Sequence, residues 1–208
     1  MKRNVILLGL AIVIACFAPT GYRMALVAKE RHTRALYQRQ RDNSPPLVLD
    51  ATTKNILDGA DRVETFRLVE DADIERTPAE FAEEQAATSG PHVKRLGDYV
   101  ILHAGPTQDK AFAARLSGAL SLVHEEGAGS QCFSPGVGFR VWKGLAHVDL
   151  CVCFYCSGVD IKTADPKHKA LPSIRVSLDR SRAALLALSR QAFPQDKALA
   201  AVKDTEDS

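Results

Sequence analysis

Strand-like runs flank Lys143 and Gly144, and in each of them apolar side chains recur at every second position. A period of two puts those side chains on one face of a β-hairpin. Glycine supplies the positive φ that a tight two-residue turn needs, so Lys143-Gly144 reads as the loop. That register sets Phe139 opposite Val148, Val141 opposite Ala146 and Val137 opposite Leu150, apolar against apolar, with Trp142 against Leu145. A slip of one residue would set the same positions against His147 and Asp149, which one buried face forbids. The hairpin therefore turns Val148, Leu150, Val152 and Phe154 toward a core, and His147, Asp149, Cys151 and Cys153 toward the other face. Pro135-Gly136 favours a turn or bulge at its open end.

Apart from Cys16, every cysteine falls in this region: Cys132, Cys151, Cys153 and Cys156. The register puts Cys132 opposite Tyr155 and diagonal to Cys153, so Cys132, Cys153 and Cys156 converge at the open end. The first reading is a structural disulfide from Cys132 to Cys153 or Cys156, which closes about twenty residues and stabilises by about 3 kcal/mol on the chain-entropy model. Buried free thiols are a second reading. A third is zinc held by Cys132, Cys153 and Cys156, with Cys151 or His147 as fourth ligand; the C-x-x-C spacing suits zinc, and a matching second pair is absent. The fourth is a redox dithiol. Thioredoxin-like C-x-x-C opens a helix whose dipole lowers a thiol pKa, whereas this one ends a strand and meets Ser157-Gly158.

Outside the cysteines the chemistry is sparse. His147 and Asp149 share a strand face and could form an acid–base pair, although two polar residues on the wet side of a hairpin are an ordinary pattern. Gly136 and Gly138 begin a G-x-G, but Val141 stands at the third glycine position of a dinucleotide fingerprint. Asp58, Asp61 and Glu64 lack the calcium-loop spacing. Trp142 with Arg140 beside the turn marks either a partner surface or a cross-strand stack on Leu145. Lysine plus arginine number 27 against 25 aspartates and glutamates, so no global field draws nucleic acid.

The N-terminus has its own logic. Lys2 and Arg3 precede an apolar run over 5–15 and then Cys16, Phe17 and Ala18, a charged region and apolar core of the size of a secretory signal. Val13-Ile14-Ala15-Cys16 also resembles a lipobox, which makes Cys16 a lipidation candidate. The following Arg23, Lys29, Arg31, Arg34, Arg39 and Arg41 disfavour translocation and keep an uncleaved anchor open as the alternative. Either way the membrane is the one partner the sequence names, with any ligand or protein partner left open.

Helical and strand signals then alternate. Residues 24–41 read as a basic helix stopped by Pro45-Pro46. Asp50 or Thr52 caps a short helix that Gly59 closes. Residues 63–69 read as a strand, 78–87 as a surface helix with a Thr77/Glu80 capping box, and 99–103 as a strand. Thr107 caps a helix carrying Phe112, Leu116, Ala119, Leu120 and Val123, which Gly127 and Gly129 end. After the hairpin come a loop, a short strand at 174–176, and an amphipathic helix over 180–193.

Several of these segments together resemble a known pattern. Leu57-Asp58-Gly59-Ala60-Asp61-Arg62-Val63-Glu64, Cys132-Phe133 with Pro135-Gly136, Phe139-Arg140-Val141-Trp142-Lys143-Gly144, Val148-Asp149, Cys153-Phe154-Tyr155-Cys156, Ser181-Arg182-Ala183 and Ala192-Phe193-Pro194 are similar to an uncharacterised family of exported bacterial proteins of the planctomycete type. The resemblance spans 56–196 and implies export but no activity. In that pattern the cysteines matching 132, 153 and 156 recur, while Cys151 stands where an aliphatic residue is usual.

The expectation is an α+β fold with a mainly antiparallel sheet, a cysteine-bearing hairpin and helices packed on one face. Residues 1–18 are the signal or anchor, 19–46 a basic, proline-ended stalk, 47–196 one domain, and 197–208 a polar tail. The functional expectation is an exported or membrane-tethered domain of the cell envelope, non-enzymatic, binding or structural, stapled by a disulfide and needing no cofactor. The rival is a thiol-redox or zinc- or copper-binding protein built on Cys132, Cys153 and Cys156.

Overall fold

A computed structural model of the chain describes residues 27–29, 31–33, 35–36, 47–69, 78–89, 92–123, 133–166 and 172–204. Two compact units divide it, Met1–Ser44 and Pro45–Ser208. The described residues of the first are helical and exposed, with Thr33 Oγ1 donating to Lys29 O at 2.9 Å. The expected leader over 1–18 lies outside the described residues, and Cys16 with it. Among the described residues no helix is long and apolar enough to cross a membrane.

In the second unit Asp50 Oδ1 accepts from the Thr52 and Thr53 N–H groups, at 2.9 and 3.0 Å, and starts helix α1, Ala51–Asp58. Gly59 closes it by donating to Asn55 O. Strand β1, Arg62–Leu68, is followed by α2, Pro78–Thr88, then β2, Arg95–Leu96, and β3, Tyr99–Ala104. Helix α3, Lys110–Leu120, leads to β4, Val137–Lys143, β5, Ala146–Cys153, β6, Gly158–Ala164, and β7, Ile174–Ser177. Helices α4, Arg182–Ala192, and α5, Lys197–Ala201, complete it. The strands form one curled sheet in the order β2-β3-β1-β4-β5-β6-β7, antiparallel at every junction. The fold is α+β, as the sequence pattern implies.

The hairpin exists, with a different register. Lys143 pairs with Ala146, Val141 with Val148, Phe139 with Leu150 and Val137 with Val152, a shift of two from the expected pairing. The loop is Gly144-Leu145, with Gly144 at φ 59 in the first central position, as a type II′ turn requires. An even shift keeps every side chain on its expected face, so hydrophobic pattern alone cannot detect it. It does change the partners. Trp142 faces His147 rather than Leu145, which is 81% exposed at the tip, and Arg140 faces Asp149.

One face of the sheet is the main core. Val63, Phe139, Val141, Val148, Leu150, Val152, Val159 and Ile161 meet Ile56 and Leu57 of α1, Phe112 and Leu116 of α3, and Leu185 and Leu186 of α4. Opposite them a smaller cluster of Phe66, Leu68, Leu96 and Cys151 forms where the β2–β3 hairpin folds over the sheet. Gly138 makes that cover possible, since a Cβ there would collide with Leu96 Cδ2 and touch Leu68. Gly138→Ala is accordingly expected to lower stability by about 1–3 kcal/mol through overpacking, measured by urea unfolding, whereas Gly118→Ala, exposed inside α3 with nothing for a Cβ to meet, is expected to raise it by about 0.5–1 kcal/mol through helix propensity.

Three further expectations change. Helix α3 is capped by Asp109 rather than Thr107, because Gln108 exchanges backbone hydrogen bonds with Val63, at 2.7 and 3.0 Å, and holds the chain extended up to the cap. It ends at Leu120, ahead of Gly127 and Gly129. The sequence reading has no element between the hairpin and the strand at 174–176, and the structure puts β6 there, with Val159, Ile161 and Thr163 alternating with Asp160 and Lys162. The polar tail expected from 197 begins instead as α5, which Asp196 caps at Leu199 N–H and which buries Leu199 in the core. Arg190 secures it by donating to Leu199 O, Val202 O and Asp204. Thr77 of the expected capping box lies outside the described residues.

Candidate functional site

Two places on the second unit carry the candidate residues, at opposite ends of β5. At one end β5 finishes at Cys153 and β6 starts at Gly158, its last partner, so residues 154–157 make the turn. Ser157 adopts φ 49, the left-handed conformation that closes it. Cys153 and Cys156 form a disulfide across this turn, with Cα atoms 5.6 Å apart, and Cys156 N–H points at Cys153 Sγ at 3.2 Å. Cys153 is fully buried, Cys156 is half-buried, and Tyr155 between them is 89% exposed.

The turn is clamped from α4. Arg182 Nη1 donates to Phe154 O at 2.6 Å and to Ser157 Oγ at 3.1 Å, while Nε donates to Lys203 O at 3.2 Å. Leu178 N–H donates to Ser157 O at 2.9 Å. Sequence reasoning placed Ser181-Arg182 only in the family-like pattern and gave Arg182 no role; the available signal was its spacing of three and four from Leu185 and Leu186, which puts a charge on the apolar face of the helix.

The expected bridge from Cys132 is therefore replaced by one between Cys153 and Cys156. Cys132 lies outside the described residues. A C-x-x-C at a turn with a left-handed residue brings its own two sulfurs together without a third. The closed loop shrinks from about twenty residues to about four, and the chain-entropy contribution from about 3 to about 2 kcal/mol.

Cys151 is buried on the far side of the sheet from the main core, its Sγ toward Leu96 O at 3.8 Å. Burial pushes its thiol pKa far up, and the charges of Asp149, Asp160 and Asp98 add to the shift, so it stays a protonated, inert thiol. His147, the other proposed fourth ligand, is six residues from Cys153 along β5, about 20 Å of strand, and cannot complete a site there. Among the described residues no group of three or more His, Cys, Asp or Glu is placed to hold a metal ion.

At the other end of β5 the shifted register assembles a polar corner. Cross-strand pairing runs Arg62, Trp142, His147, and beside that row Glu64, Arg140, Asp149, Lys162. Arg140 Nε and Nη2 donate to Asp149 Oδ1 and Oδ2 at 2.7 and 2.9 Å, a two-point ion pair that raises the Arg140 pKa and holds a buried carboxylate. His147 Nε2 stands 3.8 Å from Asp149 Oδ1, beyond hydrogen-bond distance, so the acid–base pair these two could form is not engaged. The Trp142 and His147 rings lie 4.6 Å apart, and the Arg62 guanidinium sits 4.9 Å over the indole. Trp142 Nε1 and His147 Nδ1 are both buried without a hydrogen-bond partner, each at a cost of about 1–3 kcal/mol.

No protein-family model, curated protein or solved structure matches the chain. The chemistry of the two ends is therefore read from their own geometry.

Burial lowers the His147 pKa from its ordinary 6.5; the Arg140 charge acts the same way, while Asp149 and Glu64 oppose it. The folded state thus resists a proton that the unfolded chain accepts. Stability is full above about 6.5, falls as the pH drops from there through the folded pKa, and levels off below it. His147→Gln is expected to flatten that part of the curve, read as urea midpoints between about pH 7 and 4. An unchanged slope in the variant would assign the acid sensitivity to other groups.

Proposed function

We propose that this protein is an exported domain, tethered to the membrane through its N-terminus, that works by binding or as a structural element rather than by catalysis. The observation that carries this reading is the Cys153–Cys156 bridge, with Cys153 wholly buried in a turn that Arg182 clamps. A disulfide belongs in an oxidising compartment, outside the cytoplasm. A catalytic dithiol needs an exposed sulfur of lowered pKa, commonly at a helix N-terminus, and here the first cysteine ends a strand. The similarity of the Cys153-Phe154-Tyr155-Cys156 and Ser181-Arg182-Ala183 segments to exported bacterial proteins supports the same compartment.

The rival reading, a thiol-redox or zinc- or copper-binding protein, keeps one observation in its favour, the C-x-x-C spacing with Cys156 half-buried. Mass-spectrometric thiol counting on natively exported protein, before and after mild reductant and alongside metal analysis, separates the two. The staple reading expects a Cys153–Cys156 bridge that resists mild reductant, and a Cys151 that is alkylated only after unfolding. Stoichiometric zinc or copper, or a bridge that cycles readily, would transfer the assignment to the rival.

A further inference from the structure

We propose that the Cys153–Cys156 bridge and the C-terminal segment 197–204 form a redox-sensitive latch coupled through the guanidinium of Arg182: opening the bridge loosens the segment, and freeing the segment favours the open bridge. The inference deepens the staple reading above and rests on it.

Arg182 leaves the first turn of α4, is nearly inaccessible, and ties two other parts of the chain together. Nη1 holds the disulfide turn at Phe154 O and Ser157 Oγ, Nε holds Lys203 O at 3.2 Å, and the guanidinium carbon lies 5.8 Å from the centre of the Phe154 ring. The donor fork is planar and rigid, so fixing Nε on Lys203 O also fixes where Nη1 points. Lys203 is itself placed from the far end of the same helix. Eight residues on, Arg190 donates to Leu199 O, Val202 O and Asp204 Oδ1, while Asp196 pairs with Arg67 at 2.7 Å and Leu199 is buried in the core. Among these ties, the one at Lys203 O is shared with the disulfide turn.

The coupling follows from what the bridge constrains. With the bridge closed, residues 154–157 keep one conformation, and Phe154 O and Ser157 Oγ meet the guanidinium together. With it open, the turn gains conformations in which they do not, and Arg182 must order the turn to keep both bonds. Conversely, an Arg182 pinned from Lys203 keeps the turn closed and the two sulfurs together, which favours the bridge. The two effects are one free energy seen from two sides, so they are equal. Reduction breaks the S–S bond with two electrons and two protons and leaves two thiols; a dithiol such as dithiothreitol supplies them and closes its own disulfide.

The full chain is equilibrated with graded ratios of reduced to oxidised dithiothreitol, and the bridge is counted by acid quench, alkylation and mass spectrometry. Arg190→Gln releases the segment without touching the turn and is expected to make the bridge about fivefold easier to reduce at equilibrium. In an Arg182→Met background the same substitution should shift it by less than about twofold, because the link is already cut. Asp204→Asn, an exposed change, is the second variant should Arg190→Gln not fold, with a shift of about twofold. The reciprocal readout needs no substitution. In the wild-type chain, amide exchange at Leu199 and Ala200, which both donate to Asp196, should accelerate about fivefold on reduction, while Lys54, which donates to Asp50 O at the start of α1, stays unchanged. A bridge equilibrium that ignores the segment, an Arg190 effect of full size without Arg182, or equal acceleration at Lys54 overturns the latch. Absence of the bridge at every ratio in the wild-type chain would sink the staple reading, and the latch with it.

Discussion

Replacing Arg140 with methionine is expected to lower stability by about 3 kcal/mol, because it strands the Asp149 carboxylate in a site where its side chain is 7% accessible. The fork from Arg140 Nε and Nη2 satisfies both carboxylate oxygens, and His147 at 3.8 Å is neutral and too far to substitute. Asp149→Leu alone should also destabilise, by leaving the guanidinium over the sheet without its acceptor. Combining Arg140→Met with Asp149→Leu removes both charges and should recover most of the loss, since an apolar pair of similar volume replaces a buried ion pair at little cost. Urea unfolding of the four proteins closes the cycle. Strict additivity of the two single effects would mean that the ion pair contributes no coupling.

That ion pair also shows where the sequence stopped being readable. Alternation along 137–143 and 146–152 determines which side chains face the core, and that part of the reading holds residue by residue. It cannot separate registers that differ by two, because both put the same residues inside. The glycine of the turn was visible, but Gly144 can serve as the second loop residue after Lys143 or the first before Leu145, and an exposed leucine at a hairpin tip disguises the second choice. Charge supplied the missing criterion: only the observed register sets Arg140 against Asp149 instead of His147. The polar corner followed from that correction, with Arg62 brought in by β1 from far along the chain.

The cysteines failed for a different reason. That Cys153 and Cys156 meet at one hairpin end was legible from the turn that Ser157-Gly158 offers, yet their pairing depends on β6, whose alternation of Val159, Ile161 and Thr163 follows Gly158. Once β6 returns along β5, the four residues between them form a tight turn and bring the two sulfurs together. The cover over Cys151 was beyond reach of pattern, because β2 is two residues long and announces itself only through the space that Gly138 leaves for Leu96.

Arg182→Met should cost about 2–3 kcal/mol and, more tellingly, should change how the disulfide opens. The guanidinium is nearly inaccessible and satisfies Phe154 O, Ser157 Oγ and Lys203 O, so methionine keeps its bulk but leaves a buried carbonyl of the turn without its donor. In the wild-type chain Cys153 is sealed by the turn, so a thiolate reductant must attack at the half-buried Cys156 or wait for the turn to open. With the clamp gone, residues 154–157 keep the burial of Phe154 and the Leu178 N–H to Ser157 O bond but lose the polar ties to α4, so local opening becomes easier. Dithiothreitol reduction followed by alkylation and mass spectrometry is expected to accelerate well beyond what the loss in global stability accounts for, and to lose most of its dependence on sub-denaturing urea. A rate that tracks global stability in both proteins would place the protection in the core packing around Cys153 and remove Arg182 from the account of the staple.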